Sequence, residues 1–162
     1  MDSGHPLLIQ LDAPGHWDEQ LVGGKAAKLA QLTCAGFEVP RGFCLTTRAY
    51  QAFVQNAGIT AALRMELGRK SMDDMRWEEI WDAALRIRAT FLAQPLDGVL
   101  RETIAQGLAG FDASTPLAVR SSAVGEDAAG RSFAGLHESI IGVRGQQAVE
   151  DAVRLVWASL WS

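Results

Sequence analysis

The sequence has 162 residues, of which 48% are apolar and 21% are charged, and its formal net charge is −4. This length and composition are typical of one soluble globular domain that buries roughly 70% of its unfolded surface. The negative balance argues against nucleic acid or an anionic membrane as the main partner, although a local basic cluster can still bind a phosphate.

The chain carries no pattern of a secreted or membrane-spanning protein. Its apolar runs are only a few residues long, and no basic segment precedes an apolar one near the N-terminus. Cys34 and Cys44 are ten residues apart without a CxxC motif or clustered histidines, which favours reduced thiols over a disulfide or a zinc site. We therefore expect a cytoplasmic protein.

The first third of the chain predicts alternating strands and helices. A strand is predicted over 6–11, a helix over 24–36, a turn and a strand over 39–47, and a helix over 48–58 after a threonine N-cap. Gly36 and Gly58 are predicted to end the two helices. Their predicted buried sides are Ala26, Leu29, Ala30 and Thr33 in the first helix, and Tyr50, Phe53, Val54 and Ala57 in the second.

Two further helices are predicted between 71 and 108. Ser71 and Asp74 resemble a capping box, so a long helix is expected to start there and to end at Pro95. Its predicted apolar stripe is Trp77, Ile80, Trp81, Ala84, Leu85, Phe91 and Leu92. The next helix has Leu96, Val99, Leu100, Thr103, Ile104 and Leu108 on one side. Both helices are interpreted as scaffold.

The last third predicts strands over 116–122 and 137–145, joined by a Gly/Ser/Ala-rich loop, and then an amphipathic helix. Its apolar side is Val149, Ala152, Val153, Val156, Trp157 and Leu160. Because the sequence stops inside this predicted helix, we expect a truncated chain or a fragment of a longer protein. The predicted fold class is α+β, rich in helix, with a small and mostly antiparallel sheet.

The first candidate site is the string of Gly23, Gly24 and Lys25 at the predicted start of a helix. Free N–H groups and the positive end of the helix dipole favour an anion there, and Lys25 adds a positive charge. The alternative is a plain glycine turn with a solvated lysine, which the short, common string favours by itself. The string is not a P-loop, because Ala26 stands where a Ser or Thr would reach magnesium.

The second candidate site is Arg120 and the loop that follows it. An arginine late in an apolar strand is expected to be partly desolvated and to need an anionic partner. A ligand phosphate and an internal ion pair with Glu126 or Asp127 are equally good partners on the sequence alone. The small residues either form a flexible hairpin connection or fold over a polyphosphate with their N–H groups inward. They are Ser121, Ser122, Gly125, Gly130, Ser132 and Gly135.

Two segments carry a resemblance to a known family. The segments "VGGKAAKLAQLTCAGFEVPRGFCLTTRAY" and "AVRSSAVGEDAAGRSFAGLHESIIGVRGQQAVEDAVRLVWASLW" resemble the opening of the ATP-binding domain of phosphoenolpyruvate synthase, pyruvate phosphate dikinase and rifampicin phosphotransferase. The similarity spans nearly the whole chain, with both motifs in the expected order. Within the family, "GFCLTTRAY" is most similar to rifampicin phosphotransferase and its close relatives.

The resemblance implies that residues 1–162 are the N-terminal portion of an ATP-grasp-like domain. In such domains ATP lies between two α+β lobes, magnesium bridges its phosphates, and a phosphoryl group passes to a histidine on a swivelling domain. Lys25 and Arg120 would be catalytic residues that contact ATP phosphates, while Gly135 and Ser139 would lie along the nucleotide. The acceptor would be pyruvate or a rifampicin-like antibiotic. Phosphoryl transfer needs such positive charge more than a protein nucleophile.

The sequence departs from the family pattern at several positions. Relatives typically read GGKG followed by Asn two residues later, whereas Ala26 and Lys28 occupy these places, so the added methyl is expected to impair close backbone approach. Residues 128–131 replace the usual Leu-Pro-Asp-Ala, which predicts a more mobile loop. The magnesium ligands, the rest of the nucleotide cleft and the swivelling histidine domain are expected beyond Ser162. The chain alone is therefore expected to be inactive.

A second hypothesis belongs to a different class. The chain would be a stand-alone, non-catalytic nucleotide-binding or protein-interaction module derived from the same domain, acting through apolar surface that a second lobe covers in relatives. A downstream reading frame with acidic metal ligands and a mobile histidine domain would favour the first hypothesis.

Overall fold

The computed structural model describes residues 6–12, 15, 17–56, 58–124 and 139–161. The elements are β1 (Leu8–Gln10), α1 (Glu19–Cys34), β2 (Phe43–Leu45), α2 (Thr47–Asn56), α3 (Ile59–Leu67), α4 (Trp77–Ala93), α5 (Gly98–Leu108), β3 (Leu117–Arg120), β4 (Ser139–Val143) and α6 (Gln146–Ala158). Helices predominate in these ranges, four of them follow one another between β2 and β3, and the strands form two small antiparallel ribbons, which confirms the α+β class. None of the helices in the described ranges is long and apolar enough to span a bilayer.

The strands form two separate antiparallel ribbons. In the first ribbon β1 pairs with β2, and Ile9 lies opposite Cys44. In the second β3 pairs with β4, and Arg120 lies opposite Ser139. The predicted antiparallel pairing is confirmed, but the strands form two ribbons and not one sheet. The first ribbon packs against α1, α2 and α5, and the second packs against α6.

The main core lies between helices α2, α4, α5 and α6. Phe53 and Phe91 are fully buried, with ring centroids 5.9 Å apart, and the ring of Trp157 lies 5.2 Å from that of Phe53. Aromatic pairs at these separations add to the stability gained from burying their large apolar area. The helical spacing that predicted Phe53 and the valines of α6 as core residues is confirmed.

Helix α4 differs from the prediction in its start and in its buried side. It begins at Trp77, because Glu79 accepts a 2.8 Å hydrogen bond from the backbone N–H of Arg76, whereas Ser71 precedes a short 3₁₀ turn, Met72–Asp74. The predicted stripe is wrong in its first half. Trp77, Trp81 and Leu85 are 70%, 54% and 51% exposed, while the buried positions are Ala83, Ile87 and Phe91.

A second, smaller apolar cluster lies under the start of α1. It consists of Ile9, Val22, Ala26, Ala27 and Cys44, so it joins the first ribbon to the first two turns of the helix. The thiol of Cys44 lies 3.5 Å from the carbonyl oxygen of Val22. This cluster fixes the helix start on the β1–β2 ribbon.

The two cysteines are free thiols in very different surroundings, and they should react differently. Burial raises the pKa of Cys44 to about 12, whereas Cys34 is exposed. Because the thiolate is the nucleophile, iodoacetamide at pH 8 is expected to alkylate Cys34 in the native protein and to leave Cys44 unmodified. Peptide mass spectrometry measures both sites, with the protein in urea as the control in which both react. Equal native labelling would contradict the described burial of Cys44.

Candidate functional site

Helix α1 is interrupted where the glycine pair occurs. Gly23 has φ 76° and ψ 167°, which is not helical, so a short turn from Glu19 precedes it and the continuous helix starts at Gly24. The sequence prediction of a helix start at this glycine is confirmed. Gly36, with φ 84°, follows the end of the helix, also as predicted.

The glycine turn contacts the segment that follows β3. The hydroxyl of Ser122 accepts a 3.0 Å hydrogen bond from the Ala26 N–H and donates a 2.8 Å hydrogen bond to the Val22 carbonyl. The Gly24 N–H donates to the Ala123 carbonyl at 3.2 Å. A Cβ on Gly23 would lie 1.6 Å from the carbonyl oxygen of Ser122, so only glycine allows this approach.

These contacts correct the expectation that the N–H groups at the helix start are free. The N–H groups of Gly24 and Ala26, two of the first in the helix, donate within the chain. The prediction that they are free to bind an anion is therefore wrong. The Ser122 hydroxyl contacts α1, a role that the sequence did not predict. The helix start is therefore closed by the chain itself, and the charge it offers to a ligand is that of the dipole and of Lys25.

Of the two residues in α1 that depart from the family pattern, Ala26 is buried and Lys28 is exposed. Ala26 is 5% exposed and belongs to the small apolar cluster, so its methyl packs against the first ribbon. The Ala26 N–H donates to the Ser122 hydroxyl, and the expectation that the methyl impairs close backbone approach at a phosphate stays a prediction. The exposed Lys28 lies two residues further along the helix.

Arg120 and Ser139, two predicted site residues, are cross-strand partners. They lie opposite each other in the β3–β4 pair, and the Arg120 Nε donates to the Ser139 hydroxyl at 3.4 Å. Both residues are exposed, so the expectation of a partly desolvated Arg120 guanidinium is wrong. Val119, its neighbour on the other face of the ribbon, packs against the main core instead.

The structure brings the two predicted motifs into one region. Arg120 precedes Ser122 by two residues, a separation of at most about 7 Å between Cα atoms. Ser122 in turn contacts the amide of Ala26, the residue next to Lys25. Lys25 is half-buried on this turn.

The loop from 125 to 138 lies outside the described residues. The predictions for Gly135, for an ion pair of Arg120 with Glu126 or Asp127, and for the mobility of 128–131 all fall in it. The last described residue before the loop is Val124, two residues after Ser122, and the first described residue after it is Ser139, the cross-strand partner of Arg120.

The described residues do not form a metal centre. No group of three or more His, Cys, Asp or Glu side chains within those ranges is arranged to hold a metal ion.

Comparison with known proteins identifies the family. Residues 19–162 match the family described as pyruvate phosphate dikinase, AMP/ATP-binding domain. The chain is 38% identical over 162 aligned residues to phosphoenolpyruvate synthase of Aeropyrum pernix, covering 96% of this chain and 20% of that relative. It is 38% identical over 143 residues to rifampicin phosphotransferase of Streptomyces sviceus, covering 88% and 16%.

A third relative is named for a different activity. The prodigiosin synthesizing transferase PigC of Serratia marcescens is 35% identical over 156 residues, covering 96% of this chain and 16% of that relative. The chain thus spans about a fifth or less of the length of these curated relatives. Its sequence identity to phosphoenolpyruvate synthase equals that to rifampicin phosphotransferase, so identity does not show which of the two it resembles more. The match over residues 19–162 shows that the chain belongs to the pyruvate phosphate dikinase AMP/ATP-binding domain family.

Proposed function

We propose that this chain is the ATP-binding portion of a dikinase-type phosphotransferase. Lys25 and Arg120 contact the phosphates of ATP, while Ser139 and Gly135 lie along the nucleotide. The observation that carries the proposal is the contact of Ser122 with the glycine turn, because it joins the Lys25 segment to the end of the Arg120 strand. Membership of an AMP/ATP-binding domain family supports the choice of ligand.

The chemistry assigned to the two cations is electrostatic. A transferring phosphoryl group spreads negative charge over its oxygens, and fixed positive groups around it lower the barrier. Lys25 supplies an ammonium beside the positive end of the α1 dipole, and Arg120 supplies a planar fork that suits phosphate oxygens. Ser139, as a hydrogen-bond partner of Arg120, orients the guanidinium.

The remaining steps belong to parts of the protein that this chain does not contain. We assign the magnesium ligands and the rest of the nucleotide cleft to residues beyond it, and the phosphoryl relay to a histidine on a swivelling domain. The acceptor is pyruvate or a rifampicin-like antibiotic, following the relatives. Acceptor choice is a property of those other domains, since function resides in the site and not in the fold.

Titration with Mg-ATP tests this proposal in two proteins. The complete polypeptide is expected to bind Mg-ATP, whereas the 162-residue chain alone is expected to bind it weakly or not at all, because it supplies one wall of the cleft. Isothermal titration calorimetry measures both affinities. A complete polypeptide that does not bind Mg-ATP would contradict the ATP-binding assignment. Low-micromolar binding by the 162-residue chain would contradict the proposal that this chain supplies only one wall of the nucleotide cleft.

The second candidate function is a stand-alone interaction module without catalysis. The exposed Trp77, Trp81 and Leu85 on one side of α4 favour it, because contiguous exposed apolar side chains mark interaction surfaces. The coding sequence separates the two candidates. A reading frame that ends at Ser162 supports the module, while one that continues into acidic metal ligands and a histidine domain supports the phosphotransferase.

A further inference from the structure

The start of the continuous part of α1 lacks a capping side chain of its own. Gly23 holds the position where Ser, Thr, Asp or Asn usually accepts a hydrogen bond from the amide two or three residues later. The residue three positions later is Ala26, and its N–H donates to the Ser122 hydroxyl at 3.0 Å. A serine 96 residues further along the chain thus performs the capping that Gly23 cannot perform.

The same hydroxyl also bonds to the backbone on the other side of Gly23, where α1 is interrupted. It donates to the Val22 carbonyl at 2.8 Å, the last carbonyl before the non-helical Gly23. A hydroxyl is both a donor and an acceptor, so one oxygen satisfies both backbone groups. Alanine at this position would leave the Ala26 N–H and the Val22 carbonyl without this partner.

We infer that Ser122 is a positioning residue that sets the spacing between Lys25 and Arg120, and thereby the affinity for the triphosphate. It lies two residues after Arg120 and bonds on both sides of Gly23, so a shift of the glycine turn relative to β3 breaks its hydrogen bonds. Its hydroxyl acts through these backbone groups and not by touching ATP. The inference rests on the proposed function for its ATP-binding consequence and on the contacts alone for its structural part.

Two substitutions at Ser122 test the inference against a matched control. In Ser122→Ala, hydrogen exchange of the Ala26 amide is expected to accelerate about fivefold or more, the scale of a lost helix cap, and Mg-ATP affinity of the complete polypeptide is expected to fall by a similar factor. Ser122→Thr keeps the hydroxyl and is expected to restore both. The control, Asp97→Ala, removes another N-cap bond, to the Leu100 N–H at 2.9 Å on α5, and is expected to leave Mg-ATP affinity unchanged.

The outcomes separate this inference from the proposed function. Unchanged exchange at Ala26 in Ser122→Ala overturns the capping contact, whether or not ATP binds. Unchanged affinity in Ser122→Ala, or an equal loss in Asp97→Ala, overturns the positioning role while the wild-type protein still binds Mg-ATP. A wild-type polypeptide that fails to bind Mg-ATP rejects the proposed function and the positioning role together, and leaves the exchange result as the test of the cap.

Discussion

If the proposed function holds, replacing Lys25 or Arg120 with alanine in the complete polypeptide is expected to lower kcat/KM for ATP at least about thirtyfold. This factor corresponds to about 2 kcal/mol of lost transition-state stabilisation, the scale for removing one preorganised charge or donor at a reacting group. The loss arises because each residue offsets the charge that spreads over the transferring phosphoryl oxygens. Steady-state kinetics with ATP as the varied substrate measures it.

Two exposed cations elsewhere provide the controls. Lys70 and Arg76 both lie beside Glu79, at 3.3 Å and 3.6 Å, before and at the start of α4. Their replacement by alanine removes only exposed ion pairs, which contribute little, so kcat/KM is expected to stay within about twofold of wild type. Near-normal turnover in both Lys25→Ala and Arg120→Ala would reject their assignment to the phosphate site.

Gly23→Ala is expected to lower the free energy of unfolding by at least about 2 kcal/mol. The backbone of Gly23 lies in a region of φ and ψ that only glycine populates readily, and such strain costs about 1–3 kcal/mol. In addition, the new Cβ would lie 1.6 Å from the carbonyl oxygen of Ser122, so two backbones must separate. We expect the same variant to lose Mg-ATP affinity, because the glycine turn moves away from β3.

A second glycine isolates the contribution of the contact. Gly36 also has a positive φ, 84°, but a Cβ there would meet no heavy atom within 4 Å. Gly36→Ala therefore keeps the conformational strain without the clash, and we expect it to cost about 1 kcal/mol. Urea denaturation of the three proteins gives the comparison. If Gly23→Ala were as stable as Gly36→Ala, the close approach of the two backbones would be wrong.

Patterns within short stretches of sequence were enough to predict α1 and the β3–β4 ribbon. Helix periodicity and a terminal glycine were sufficient for α1, and the change of period between the helices and β3 was sufficient for the second ribbon. Helix α3 was missed, since its buried positions are few: Ile59 and Glu66 are its buried residues. Glu66 is buried because it pairs with Arg86 of α4 at 3.0 Å, a contact that no periodicity of apolar residues reveals.

The failure at α4 has a different physical origin. Trp77, Trp81 and Leu85 repeat every four residues, as a buried stripe does, and their spacing alone cannot distinguish a side that faces the core from one that faces solvent. The smaller Ala83 and Ile87 lie on the buried side together with Phe91. The buried side is the one that packs against α6 and α3, and Arg154 of α6 also donates to the Leu92 carbonyl at 2.9 Å at the end of α4.

The residues of the candidate site came from the sequence, whereas the contact that links its two segments did not. The sequence and the family resemblance pointed to Lys25, Arg120 and Ser139, and Arg120 and Ser139 are indeed neighbours. The role of Ser122 was missed, because its partners Val22 and Ala26 lie about a hundred residues earlier. The available signal was the glycine at an N-cap position, which indicates that a capping group must come from elsewhere.

A crystal structure of the complete polypeptide with magnesium and a non-hydrolysable ATP analogue is the sharpest test of whether Lys25 and Arg120 bind one triphosphate. We expect phosphate oxygens within about 3.2 Å of both the Lys25 Nζ and the Arg120 guanidinium, with Ser122 still bonded to Ala26. A triphosphate bound elsewhere, with neither cation in contact with it, would contradict the assignment of both residues.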